Sequence, residues 1–265
     1  PYVSALDGAL ERIEDNSAEI VPEKELIPAM QSMLDKIGEV CPGFAISNKI
    51  GLSWESGEYR NSNGRNLKSS GSSLDISLLF QSRGSGNLMD AFYQYSGRTF
   101  DPEKVVAGCK KVYDAYNTPA ELEEGEWPVI ISPAELLAQA ISHFVGEMYV
   151  AGASLLSGKL GEKCFSEKLS FGDDRNAATN LGSIFFDDEG SVLPEDRSLL
   201  IRQGKLESLL TTKNSAAQLG LPVAGTAGAA YDGVPTLTIQ GLYVARTAED
   251  IREIVPGKAV YVMSA

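Results

Sequence analysis

Apolar residues recur at helical intervals early in the chain, at Val3, Leu6, Leu10 and Ile13, and again at Met30, Met33, Leu34, Ile37 and Cys41. Both stretches predict amphipathic helices, because positions three and four apart share a helical face. Pro28 suits the first turn of the second one. After Pro42-Gly43 the period drops to two: Ile46, Asn48, Ile50, Leu52 and Trp54 fall on one face of an extended segment, as do Leu74, Ile76, Leu78 and Phe80 further on. The clusters Asn61-Ser62-Asn63-Gly64 and Arg83-Gly84-Ser85-Gly86-Asn87 supply turns, so residues 45–96 read as an antiparallel meander. Asp101 and Pro102 then open a helix whose buried stripe is Val105, Val106, Cys109, Val112, Tyr113 and Tyr116.

The acidic, proline-containing stretch Thr118 to Glu126 predicts a surface connection, and Val129-Ile130-Ile131 a short buried strand. A subdomain boundary is expected there, separating residues 1–126 from 127–265. Ser132-Pro133-Ala134-Glu135 has a hydroxyl at the cap and a carboxylate three residues on, which launches a helix burying Leu137, Ile141, Phe144, Val145 and Met148. Beyond Leu169 short strands dominate. Ser198–Arg202 and Lys205–Leu210 flank Gln203-Gly204 as a hairpin; Leu237–Ile239 and Ala259–Met263 follow, and Thr247 caps a short helix through Ile254. The pattern predicts an α+β fold, mostly antiparallel sheet with packed amphipathic helices, in two subdomains.

Charge narrows the partners. With 23 Lys+Arg against 36 Asp+Glu the net charge is −13, a field that repels phosphate backbones and anionic bilayers, so no direct nucleic-acid contact is expected. No stretch approaches the ~20 apolar residues of a membrane span, and none is expected. Cys41, Cys109 and Cys164 are odd in number and widely spaced, which predicts neither a disulfide framework nor a thiolate zinc site and fits a reducing, cytoplasmic setting. No charged-then-apolar leader follows Pro1, so no secretory signal is expected.

Four segments of the second half stand in a familiar order: Ser157-Gly158-Lys159-Leu160-Gly161-Glu162, Phe186-Asp187-Asp188-Glu189-Gly190, Leu200-Ile201-Arg202-Gln203-Gly204-Lys205-Leu206, and Asn214-Ser215-Ala216-Ala217-Gln218-Leu219-Gly220. Each is a common turn-like motif alone; together they resemble the TldD/PmbA (TldD/TldE) family, associated with modulation of DNA gyrase and with peptide maturation. Asn61-Ser62-Asn63-Gly64 resembles that family's middle region. The likeness is firm over about residues 128–220 and looser elsewhere, and the chain resembles a central portion of the family's longer members.

In the TldD branch the resemblance implies a helix carrying HExxxH, whose histidines hold zinc while the glutamate activates water. The corresponding window here is Ala138-Gln139-Ala140-Ile141-Ser142-His143. With a one-residue offset, Ala138 replaces the first ligand and Gln139 the base, and His143 survives; without it, Leu137 and Ser142 stand at the ligand positions. His143 is also the single histidine of the chain, and an amide has no lone pair basic enough to take a proton from metal-bound water. No catalytic residue, metal or cofactor is therefore expected. The best fit is the PmbA/TldE branch: a non-catalytic subunit or homologue of a TldD-type metallopeptidase, paired with a TldD-like subunit or with itself, and helping to enclose an extended peptide by pairing it to a sheet edge near the Ser198–Leu210 hairpin.

Other chemistries meet simpler readings. His143 and Glu147 as a two-ligand half-site compete with an ordinary polar pair four apart on one helix. Asp173, Asp174, Asp187, Asp188 and Glu189 as a hard-cation site compete with turns closed by side-chain to backbone bonds. The motif residues Asp187, Asp188, Glu189, Gly190, Gly204, Asn214 and Ser215 are assigned structural roles, the acidic loop positioning the neighbouring hairpin. Gly152, Gly158 and Gly161 fit helix termination better than a phosphate loop. For Cys164 as a nucleophile nothing predicts contact with His143, and Ser154 and Ser157 lack a nucleophile-elbow GxSxG and would have to be served by the same lone imidazole. An active zinc peptidase with atypical ligands or ligands outside this chain, and a binding or scaffold module, are the competing functions.

Overall fold

The computed structural model describes residues 6–248 and 250–262, without the side chains of Pro133, Ala134, Leu136 and Leu137. Two compact units divide the chain. One comprises Asp15–Ser56 and Ser70–Glu124; the other comprises Pro1–Glu14, Gly57–Ser69 and Gly125–Ala265. The architecture is α+β with mostly antiparallel sheets.

The first elements are β1 (Leu10–Asn16), α1 (Glu23–Val40), β2 (Phe44–Arg60), β3 (Arg65–Ser82), β4 (Ala91–Gly97) and α2 (Pro102–Tyr116). Their sheet runs β1-β3-β2, with β4 also on β3, antiparallel from Leu74 opposite Gly97 to Phe80 opposite Ala91. The meander expected from period-two patterning is present. Leu74, Ile76, Leu78 and Phe80 are buried on one face of β3, packed with Met30, Met33 and Ile37 of α1 and Val105 and Cys109 of α2. Asp101 caps α2 as expected, its carboxylate accepting from the Lys104 N–H at 3.0 Å.

Several expectations fail in this part. Leu10 and Ile13 belong to a strand, not a helix, and burial alternates along β1 so that Leu10, Arg12 and Glu14 face inward and Ile13 is exposed. The helical spacing there was a coincidence that cross-strand pairing overrides; Val3 lies outside the described residues. α1 starts at Glu23, with Glu23 and Glu25 in the first turn where the helix dipole favours them, so Pro28 lies inside the helix. Asn48 and Trp54 face solvent rather than joining Ile46, Ile50 and Leu52. Tyr116, at the end of α2, is exposed too.

The later elements are β5 (Val129–Ile130), α3 (Pro133–Ala140), α4 (Gly146–Val150), β6 (Phe171–Asp174), β7 (Arg197–Arg202), β8 (Lys205–Leu206), α5 (Lys213–Leu219), β9 (Ala227–Gly228), β10 (Thr236–Leu237), β11 (Leu242–Val244) and β12 (Val260–Tyr261). The main sheet has the order β11-β6-β7-β8 and is antiparallel throughout. The expected hairpin joins β7 to β8, but its second strand stops at Leu206 rather than Leu210. Gln203 (φ 48°) and Gly204 (φ 79°) both adopt the left-handed conformations of a tight hairpin turn, and a Cβ on Gly204 would clash with the Phe165 carbonyl oxygen. Phe144, Leu156, Phe171, Leu200, Ile201, Leu206, Leu209 and Leu210 form the core here. Among the described residues no helix is long and apolar enough to cross a membrane.

The single helix expected after Ser132 is broken. Ser132 Oγ does accept from the Glu135 N–H at 3.2 Å, but α3 ends at Ala140, Ile141–Phe144 form a 3-10 turn, and Val145 is extended. The cause is a strand-like bridge: the Leu210 N–H donates to the Phe144 carbonyl at 2.7 Å, and the Gly146 N–H donates to the Leu210 carbonyl at 3.1 Å. Gly146 permits it, since a Cβ there would sit 3.0 Å from Thr211 Cγ2. As a result Met148 is exposed, and Leu137 lies outside the described side chains.

Smaller corrections follow the same logic. Val129 and Ile131 are exposed, because β5 has a single two-residue partner, β12. Asp250, not Thr247, caps a 3-10 turn at Ile251–Glu253, its carboxylate accepting from the Arg252 N–H at 2.9 Å. The strand expected at Leu237–Ile239 is shifted to Thr236–Leu237, and the one at Ala259–Met263 shrinks to Val260–Tyr261, Met263 lying outside the described residues.

Candidate functional site

The window Ala138–His143 leaves α3 and enters the 3-10 turn. Ala138, Gln139 and Ser142 are exposed, while His143 is half-buried. Its Nδ1 accepts from the Leu155 N–H at 3.4 Å. Because the chain breaks at Val145, His143 and Glu147 are not four apart on one helix, and the expected polar pair does not form a helical ladder. Ser154 and Ser157 spend their hydroxyl protons on the carbonyls of His143 and Tyr149, at 2.7 and 2.8 Å. Neither hydroxyl addresses the imidazole.

His143 borders a cavity of about 260 Å³ whose walls are Phe144, Leu155, Leu156, Phe165, Leu169 and Phe171. The rings of Phe144 and Phe165 stack with centroids 6.5 Å apart, and Phe144 lies tilted against Phe171 at 5.6 Å. Lys159 and Cys164 complete the polar part of the lining. The Cys164 thiol points a weak bond at the Glu162 carbonyl, 3.7 Å away.

The acidic loop sits elsewhere and is consumed by backbone donors. Asp187 is fully buried; its Oδ1 accepts from the N–H groups of Glu189 (3.0 Å) and Ser191 (2.7 Å), and its Oδ2 from Ala227 (3.2 Å). Asp188 accepts from the Ala229 N–H at 2.6 Å. Glu189 takes the Lys213 N–H at 2.7 Å, Lys213 Nζ returns a bond to the Glu189 carbonyl at 2.7 Å, and the Gly190 carbonyl accepts from Arg65 Nε at 2.7 Å. The loop therefore holds α5 and β9, rather than the β7–β8 hairpin. Asn214 and Ser215 lie in the first turn of α5, where Ser215 and Thr212 exchange bonds between side chain and backbone as a capping box.

Asp173 and Asp174 are equally committed. Asp173 accepts from Arg175 Nε at 2.9 Å and from the Gly241 N–H at 2.7 Å. Burial pushes the Asp174 carboxyl upward, but the Thr179 hydroxyl, the Arg197 guanidinium and the Asn176 N–H outweigh it and hold the group below the usual carboxylate range. Among the described residues no group of three or more His, Cys, Asp or Glu side chains is placed to hold a metal ion.

The hairpin edge expected to pair with an extended peptide is already taken. The Gly161 N–H donates to the Leu206 carbonyl at 2.8 Å, the Leu206 N–H to Glu162 at 2.9 Å, and the Cys164 N–H to Gly204 at 2.9 Å.

Residues 124–265 match the PmbA/TldA metallopeptidase C-terminal domain. The chain belongs to the PmbA/TldD family. A "Metalloprotease PmbA homolog" of Haemophilus influenzae is 30% identical over 68% of this chain and 42% of its own length, and a "Metalloprotease" of Methanothermobacter thermautotrophicus is 31% identical over 45% of this chain and 27% of its own. The aligned stretches thus span less than half of these curated relatives. The fold is that of TldE from Thermococcus kodakarensis, with a TM-score of 0.76 and 21% identity over 96% of this chain and 60% of that one.

A PmbA/TldD chain invites the question of zinc, and the donors present do not fit a zinc peptidase centre. One imidazole, with a methyl group and an amide on an exposed helical turn beside it, offers neither a ligand set nor a general base. With Leu137 and Ser142 at the ligand positions instead, no nitrogen donor remains.

Sequence reasoning missed α5 and the buried partners of the acidic loop. Thr212 with Ser215 three residues on, and Gly220 after the last turn, were legible cap signals for α5. Nothing in the pattern marked Arg65 or Lys213 as partners of a loop more than twenty residues away.

Proposed function

We propose that this chain is a non-catalytic, TldE/PmbA-like partner of a TldD-type metallopeptidase, contributing to peptide processing by shaping the assembly rather than by hydrolysis. The observation that carries this reading is the window at Ala138, Gln139 and His143: two of three reactive positions lack donor chemistry, and the third spends Nδ1 on the Leu155 N–H. The retained fold and the intact acidic-loop network support a chain kept for its shape. The three free cysteines are consistent with a reducing compartment.

Co-expression of the full-length protein with a TldD-like, zinc-motif-bearing subunit is the test. Co-elution as one species, with hydrolysis that survives His143→Ala here and is lost on mutating the partner's zinc ligands, is the expected result. Persistent separation of the two full-length chains would refute the pairing.

A further inference from the structure

The cavity beside His143 has a composition that selects a ligand. Its walls are hydrocarbon and aromatic, supplied by Phe144, Phe165, Phe171, Leu156 and Leu169. Its polar lining comes from His143, Lys159 and Cys164. His143 Nδ1 is engaged by the Leu155 N–H; Lys159 carries an ammonium and, among the described residues, makes no ion pair; the Cys164 thiol donates to Glu162. Among the described residues no carboxylate lines the cavity. Leu155, 74% exposed, stands in the lining and adds apolar surface in contact with solvent. About 260 Å³ is just under the usual range for small-molecule sites and suits a single large side chain.

We infer that this cavity binds the carboxyl-terminal residue of a peptide, taking an apolar or aromatic side chain between the phenylalanines and its terminal carboxylate against Lys159 and His143. The inference rests on the proposed non-catalytic role, for it makes the vestigial window a holding site for peptide ends. An apolar wall alone would accept any greasy group; the unpaired ammonium is what favours an anion, since a charge-assisted hydrogen bond is stronger than a neutral one.

Cys164 provides the readout. Cys41 and Cys109 are buried, with the Cys109 thiol pushed up to about 12 by burial and the Cys41 thiol also raised, whereas Cys164 is half-buried in the cavity lining. Alkylation of the full-length protein by N-ethylmaleimide, followed by peptide mass spectrometry, should therefore report on Cys164. Acetyl-Gly-Gly-Phe with a free carboxylate should slow its modification. The carboxamide of the same peptide should protect about tenfold less well, the scale of one lost charge-assisted hydrogen bond. Lys159→Ala, at an exposed position that leaves the core intact, should erase the difference between acid and amide. Equal protection by acid and amide, or none by either, would overturn the inference. Metal content measured on the same sample separates the two ideas: stoichiometric zinc defeats the non-catalytic role, whereas zinc-free protein without carboxylate-dependent protection defeats only the peptide-end site.

Discussion

Each of the two units is stabilised internally by a different chemistry. The one built from residues 15–56 and 70–124 has a core of Leu, Ile, Met, Val, Phe and Cys side chains from three helix and strand faces. The other divides its apolar residues between separate clusters and buries Asp173, Asp174, Arg175, Asp187, Glu189, Asp196 and Lys213 besides. In the first, shape and volume set stability. In the second, stability also depends on the hydrogen bonds that buried groups such as Asp187 and Asp173 make, because a donor orphaned by their loss costs more than the bond itself contributes.

Substitutions can break that contrast. Asp187→Ala should be the most damaging, at about 4 kcal/mol, since it strands three backbone N–H groups; a urea midpoint unchanged from the native protein would remove the polar network from the account. Leu78→Ala should cost about 3 kcal/mol by opening a cavity, yet Leu78→Met should cost about 1 kcal/mol, because a volume-conserving swap leaves an apolar core filled. Asp187→Asn, equally conservative in shape, should not be spared. Gly146→Ala should cost about 2 kcal/mol by crowding Thr211 and Leu221, visible as a lower melting temperature.

The smallest effect is in acid. Asp174 is held below its ordinary value of 3.8 in the folded protein, so the stability it contributes is complete above that value and is lost as pH falls through the lower folded one. Asp174→Asn should therefore be less stable than the native protein at neutral pH, and the gap should close in acid. A gap independent of pH would show that the carboxylate's charge is not what matters.

The same contrast explains what the sequence revealed. Period-two runs such as Leu74 to Phe80 specify a sheet face because burial repeats with the backbone, and the Asp101-Pro102 start of α2 carries its own cap. The Ser132 start was equally local, but the helix end was not: Leu210, distant in sequence, pairs with Phe144 and Gly146 and stops it. Likewise, Asp187-Asp188-Glu189-Gly190 reads as a turn, while its attachment to Lys213, Ala227 and Arg65 depends on the assembled fold. Of the candidate site, the missing zinc donors were legible residue by residue; the cavity was not, since Phe144, Lys159, Cys164 and Phe171 come together only in three dimensions.

The most direct measurement is the zinc content of the purified full-length protein, compared with its His143→Ala variant and paired with an assay of chelator-sensitive peptide hydrolysis. Substoichiometric zinc, unchanged by the substitution, and no hydrolysis by the protein alone are the expected results. One zinc per chain, lost together with hydrolytic activity in His143→Ala, would contradict the non-catalytic role.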